Sequence, residues 1–121
     1  MPLTVTWNLE EAVAVVELSG ALTLGPSLGI LLGTARQILQ NGKVLGLAIR
    51  VGQATIVDSS GIGELTVVYT ISNNHGCGIR LFDVPPSKRR MLQITCIDKL
   101  LPESKDLASA KAELQGKRAG V

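Results

Sequence analysis

Aromatic side chains are nearly missing from this sequence: Trp7, Tyr69 and Phe82 are the only three in 121 residues. Base-stacking platforms for single-stranded nucleic acid are therefore excluded. Charge of one sign is equally scarce, since twelve Lys and Arg against ten Asp and Glu leave a formal +2. That is too little for the phosphate attraction on which sequence-independent DNA or RNA binding depends, so no direct nucleic-acid contact is expected. No segment approaches the roughly 20 uninterrupted apolar residues of a membrane span. The stretch Met1 to Glu10 also lacks the basic and then apolar pattern of an export signal. The expectation is a cytoplasmic protein without membrane insertion. Cysteine is limited to Cys77 and Cys96, which in a reducing compartment read as small packing residues rather than a bridge.

What is present is aliphatic. Hydrophobic residues make up 45% of the chain, nearly all of them Val, Leu, Ile and Ala, enough for one core without disulfides or metals. Leu3 to Trp7 and Ala12 to Leu18 are rich in Val and Thr and flank the polar stretch Asn8 to Glu11, which predicts two strands joined as a hairpin, the second ended by Gly20. Gly25-Pro26 opens a helical pattern of Leu28, Leu31, Leu32, Ala35, Ile38 and Leu39, with Pro26 suited to the first helical position and Asn41-Gly42 to the stop. Gly29 and Gly33 on that helix fit close packing on a sheet as well as on a second chain, and the oligomeric state is left open.

Val44 to Val51 is almost continuously apolar and is the expected central strand, followed by a connection over Gly52 to Val57. Arg50 interrupts the run and needs an acidic partner or an edge. Asp58-Ser59-Ser60-Gly61 then leads into a second helix with Ile62, Leu65, Val68, Tyr69 and Ser72 inward, closed by Asn73-Asn74 and Gly76. Gly78 to Val84 reads as another strand and Ser87 to about Thr95 as a short helix with Met91, Leu92 and Ile94 inward. A last helix from about Ser104 to Leu114 carries Leu107, Ala110 and Leu114. This alternation is an α/β pattern in a single domain, residues 1–114, with 115–121 expected as a disordered polar tail.

Asp58-Ser59-Ser60-Gly61-Ile62-Gly63 is the one concentrated polar stretch after a buried strand, where a strand's carboxyl end meets a helix N-terminus. Ser60 at or near the N-cap would accept a bond from a first-turn amide, and a phosphate there would meet free N–H groups and the positive end of the helix dipole. The residues alone leave two readings open, a capped helix with glycines for geometry or a modifiable turn. Catalysis by Ser59 or Ser60 is disfavoured, because the glycine two residues before a nucleophilic serine is missing and His75, in the turn Asn74-His75-Gly76, is the single histidine. Gly61 and Gly63 do not form a dinucleotide fingerprint, as the sixth position is Thr66, and no phosphate-loop lysine follows. His75, Cys77 and Cys96 fall short of a structural zinc site, so neither metal nor cofactor is expected. Lys88-Arg89-Arg90 reads as a solvated helix face or part of a partner surface.

Ala54-Thr55-Ile56-Val57-Asp58-Ser59-Ser60-Gly61-Ile62-Gly63-Glu64-Leu65 resembles the signature of the STAS family of anti-sigma factor antagonists. Leu18-Ser19-Gly20-Ala21-Leu22 is similar to its Gly-x-Leu segment, and Ile79 to Val84 with Pro86-Ser87-Lys88-Arg89-Arg90 to its late strand and helix. The resemblance spans Leu3 to Leu114 and implies a mixed sheet of about four to five strands packed with about four helices. It further implies a non-enzymatic regulator of transcription that works by partner switching. An anti-sigma factor that is itself a serine kinase would phosphorylate Ser60, with Ser59 as the alternative, and a metal-dependent serine phosphatase would restore it. Thr23, Asp58, Ser59, Ser60, Gly61, Ile62 and Gly63 would form the partner-binding region, with Asp58 orienting the turn or the kinase's metal-bound nucleotide. The chain departs from the family at Thr23, where Asp often follows the Gly-x-Leu segment. A STAS scaffold or transport-accessory interaction domain, not phosphorylated, is the other reading of the same resemblance.

Overall fold

The first two strands, β1 (Thr4–Glu10) and β2 (Val13–Leu22), pair antiparallel through a two-residue turn in which Glu11 and Ala12 both take positive φ, 53° and 68°. That turn twists with the strands, which is why pairing continues through Asn8 to Glu10 instead of stopping at the polar stretch. A computed structural model describes residues 2–95 and 97–119, so Cys96 lies outside the described residues. The remaining elements are α1 (Ile30–Gln40), β3 (Gly46–Val57), α2 (Ser59–Asn74), β4 (Gly78–Phe82), α3 (Pro86–Ile94), one 3₁₀ turn at Ile97–Lys99, and α4 (Leu107–Ala119). The strands form one mixed sheet in the order β1-β2-β3-β4, with β3 parallel to both β2 and β4. Val44 to Val51 was expected as the central strand, and β3 does hold an interior position between two neighbours.

Several expected boundaries move, each for a local reason. Gly20 does not end β2; its φ of 100° sits at a register shift, and the strand resumes to pair Leu22 with Val57. The supposed connection Gly52 to Val57 is strand as well, because β2 continues alongside it after β4 has stopped at the Arg50–Phe82 pair. Pro26 lies in a turn ahead of α1, which begins only after Gly29 at φ 100°. Ile94 is exposed rather than inward, leaving Leu92 as the buried residue of α3. Past Leu114, α4 runs on as helix to Ala119, and the Gln115 side-chain amide donates to the carbonyl of Glu11 across 2.6 Å.

Helical spacing dictates which faces are buried. Leu31, Ala35, Ile38 and Leu39 of α1 and Ile62, Leu65 and Val68 of α2 cover one face of the sheet, against Ala14, Val16, Leu18, Leu47, Ile49 and Val51. On the opposite face α4 places Ala110 and Leu114 over Val13, Val15, Ala48 and Phe82. Gly46 and Gly78, paired across β3 and β4, make the flat spot for Leu114: an added β-carbon at either would crowd that side chain. Arg50, on the part of this face beyond α4, lies 5.3 Å from the Phe82 ring centroid and reaches Glu17 at 3.4 Å and Asp83 at 3.7 Å. The acidic partner its position demanded is present twice.

Candidate functional site

The carboxyl ends of β2 and β3 meet at the start of α2. Pairing of Leu22 with Val57 brings Asp58 beside Leu22, where its amide donates to the Leu22 carbonyl at 3.3 Å. Extended backbone at Asp58 (φ −105°, ψ −174°) turns the chain into the helix, and its Oδ1 accepts from the Gly61 amide at 2.9 Å. The helix cap is thus Asp58; Ser60 does not occupy that place but the second helical position. Asp58 Oδ2 accepts from the Leu24 amide at 3.0 Å, so one carboxylate also ties down the chain leaving β2. Those amides, Gly61 first and Leu24 second, hold the Asp58 carboxyl below the usual aspartate range. The free N–H groups expected to receive a phosphate are in part already taken.

Gly61 packs flat on the Leu22 carbonyl oxygen, where any β-carbon would overlap it, which makes glycine obligatory at this crossing. Of the residues singled out in the sequence, Gly61 and Ile62 face inward and are buried. Ser59 and Gly63 are exposed, while Thr23, Asp58 and Ser60 are half-buried. The structure therefore gathers all seven around one turn but presents only five of them at the surface.

Sequence reasoning missed Glu64. Only 7% exposed, it projects from α2 to the start of α1, with Oε1 accepting from the Gly29 amide at 2.9 Å and Oε2 from the Leu32 amide at 2.8 Å. Helix α1 has no side-chain cap of its own and no acidic residue in its first turn, so Glu64 supplies both the acceptor and the negative charge that its N-terminus favours. The signal was a lone carboxylate in the apolar stretch Ile62 to Val68, opposite a helix start, Gly25 to Leu32, that contains no acidic residue of its own. Beside it Leu28 and Leu32 from the α1 side and Ser60, Gly63 and Val67 from α2 line a shallow groove. Val67 and Ile30 are more than two-fifths exposed, and Leu24 is 73% exposed.

Other singled-out residues lie elsewhere. His75 caps the far end of α2, about 22 Å along the axis from Ser60 by helical rise, with Nδ1 2.8 Å from the Ile71 carbonyl oxygen. It offers neither serine a base. Among the described residues no three His, Cys, Asp or Glu side chains are placed to hold a metal ion, and Cys77 instead approaches the Val44 carbonyl at 3.2 Å. Lys88 donates to the Thr55 carbonyl at 3.1 Å, and Arg89 forms two bonds to Glu103 at 2.7 and 2.9 Å, which hold the Glu103 carboxyl below its usual range. Two of the three cations in that run are thus tethers within the fold. Among the described residues no helix is long and apolar enough to cross a membrane.

No family model matches the sequence, and no curated protein matches it. Solved structures do. An anti-sigma factor antagonist from Mycobacterium paratuberculosis superposes with a TM-score of 0.81 at 20% identity, over 93% of this chain and 94% of that one. The anti-sigma factor antagonist SpoIIAA, in its unphosphorylated form, gives 0.74 at 16% identity over 93% and 97%, and the Bacillus cell fate determinant SpoIIAA in the phosphorylated form matches as well. A sulfate transporter family protein from Wolinella succinogenes gives 0.73 at 14% identity over 93% and 92%. Over some nine-tenths of its length the chain shares one fold with all three.

Proposed function

We propose that this chain, whose fold is the STAS fold of the anti-sigma factor antagonists, acts as such an antagonist: it binds an anti-sigma factor and is released from it by phosphorylation at Ser60. The observation that carries the reading is the placement of Ser60, half-buried at the second position of α2, on the rim of an apolar groove and beside a turn held rigid by Asp58. A phosphate there adds about −1.5 to −2 charge at neutral pH. With Asp58 already capping the helix, that charge is added to a negative site, so it changes the groove's affinity for a partner without needing to unfold the domain. The function is binding rather than catalysis, in the cytoplasm, with an anti-sigma factor that is also a serine kinase as partner and a metal-dependent serine phosphatase reversing the modification. SpoIIAA, which exists in unphosphorylated and phosphorylated forms, is the precedent for such a cycle on this fold.

The test is incubation with the cognate kinase and ATP. A mass gain of one phosphate that disappears in Ser60→Ala supports the switch, and retention of the gain in Ser60→Ala but not in Ser59→Ala moves it to Ser59. Equal binding of every partner by Ser60→Ala and Ser60→Asp would overturn it. The likeness to a sulfate transporter family protein favours a second reading, a constitutive interaction domain accessory to transport in which the serine turn is only structural. Kinase and phosphatase genes beside this one would support the first reading, permease genes the second.

A further inference from the structure

Two carboxylates, one at the cap of α2 and one within it, hold backbone amides of one and the same segment. Asp58 binds the Leu24 amide, Glu64 binds those of Gly29 and Leu32, and Ser60 lies between the two on the helix. The segment they hold has few other means of order. Gly25 and Gly29 take φ of 148° and 100°, the start of α1 lacks a cap of its own, and its other hydrogen bonds are local turn bonds, from the Leu28 amide to the Gly25 carbonyl at 3.0 Å and the Ile30 amide to the Ser27 carbonyl at 3.2 Å, and one from the Leu3 amide to Ser27 Oγ at 3.3 Å. Ser60 and Glu64 are four residues apart, hence on the same side of α2, and both line the groove whose other wall is Leu28 and Leu32.

We propose that Glu64 is the positioning residue through which charge on Ser60 is passed to α1. Glu64 is nearly dry and is held in place because two amides and the positive end of α1 face its carboxyl oxygens. A second negative group one helical turn away makes that burial unfavourable, so the carboxylate withdraws to water. The Gly29 and Leu32 amides then lose their acceptor, and the first turn of α1 loosens. The groove changes shape on the wall opposite the modified serine, and a partner seated there loses contacts on both sides. This deepens the proposed function and rests on Ser60 as the modified residue.

Backbone amide exchange on the free protein tests it without a kinase. In Ser60→Asp the Gly29 and Leu32 amides are expected to exchange about tenfold faster than in the wild type, as local opening without global unfolding, while those of Ala35 and Ile38 inside α1 keep their rates. Ser59→Asp, whose charge points to solvent, leaves all four unchanged. In Glu64→Gln, which presents an N–H to one of the two amides, exchange is already fast and adding Ser60→Asp accelerates it no further. Equal protection of Gly29 and Leu32 in wild type and Ser60→Asp would overturn the relay, as would acceleration equally large in the Glu64→Gln background. If Glu64→Gln fails to fold, the wild type, Ser59→Asp and Ser60→Asp still decide. The readouts are separable: kinase labelling that is absent from the wild type or retained in Ser60→Ala sinks the reading of Ser60 as modified residue and leaves the exchange result standing, whereas unchanged exchange sinks the relay alone.

Discussion

The two faces of the sheet are held by different forces. Under α1 and α2 the buried layer is mainly aliphatic, with Leu47 and Ile49 fully buried and Ser72 the buried hydroxyl of α2, and the one carboxylate buried there among the described residues, Glu64, is satisfied by two amides. On the other face α4 seals only Val13, Val15, Ala48 and Phe82, and the remainder is joined by ion pairs: Arg50 with Glu17 and Asp83, Arg80 with Glu113, Lys111 with Glu10 and Glu11. Apolar burial is worth roughly 25 cal/mol per Å², whereas an exposed ion pair contributes roughly 0–1 kcal/mol. Stability should therefore reside under α1 and α2, the face from which the serine turn emerges. The turn from Asp58 to Gly63 is mounted on the firmer half of the molecule.

The sharpest way to break this contrast is truncation of one core residue on each face. Leu47→Ala is expected to cost about 2–5 kcal/mol in urea unfolding, since a fully enclosed cavity cannot collapse. Leu114→Ala, at the margin of the smaller cluster and resting on two glycines, should fall at or below the bottom of that range. Equal losses at the two positions would refute the asymmetry. Next in size is Glu64→Ala, which strands two half-buried amides and should cost about 1–3 kcal/mol by the same measurement. A loss too small to measure would mean that water replaces the carboxylate without penalty.

How much of this was legible beforehand differs between fold and site. The order of strands and helices followed from periodicity, because Leu31, Ala35 and Ile38, or Ile62, Leu65 and Val68, repeat at helical spacing wherever the structure buries them. Boundaries did not follow. Gly20 and Gly52 look like strand ends, and only the neighbouring strand shows that pairing continues past them; Gly52 lies against Asp83 in space, not in sequence. At the site, the turn from Asp58 to Gly63 was visible as a cluster, but Asp58 displaces Ser60 from the cap because a carboxylate two residues earlier reaches two amides at once. Glu64 stayed hidden since its partners, Gly29 and Leu32, are 35 and 32 residues away. Contacts of that range carry no local periodicity.

Smaller effects sharpen the comparison from the charged side. Arg50→Ala removes the links to Glu17 and Asp83, at 3.4 and 3.7 Å and with all three side chains more than a third exposed, and is expected to cost under about 1 kcal/mol. A loss as large as that of Leu47→Ala would show that the polar face carries far more of the fold than its geometry implies.

The smallest effect at neutral pH is that of protonating Asp58, and its sign follows from its partners. The Gly61 and Leu24 amides stabilise the carboxylate and not the acid, so its pKa in the folded chain lies below the value of about 3.9 that an aspartate has when unfolded. A carboxyl with a depressed folded pKa contributes its stability above the unfolded value and loses it as the pH falls through the folded one. Wild-type protein should therefore lose stability steeply below about pH 4. Asp58→Asn, which can still accept from one amide but does not titrate, should show a shallower acid slope while starting from a lower plateau at pH 7. Glu10, Glu103 and Asp106 are also held below their usual range, so the slope should flatten without vanishing. Identical slopes for the two proteins would mean that the cap at the head of α2 does not depend on charge, and that an added phosphate on Ser60 meets a less negative turn than the bonds of Asp58 imply.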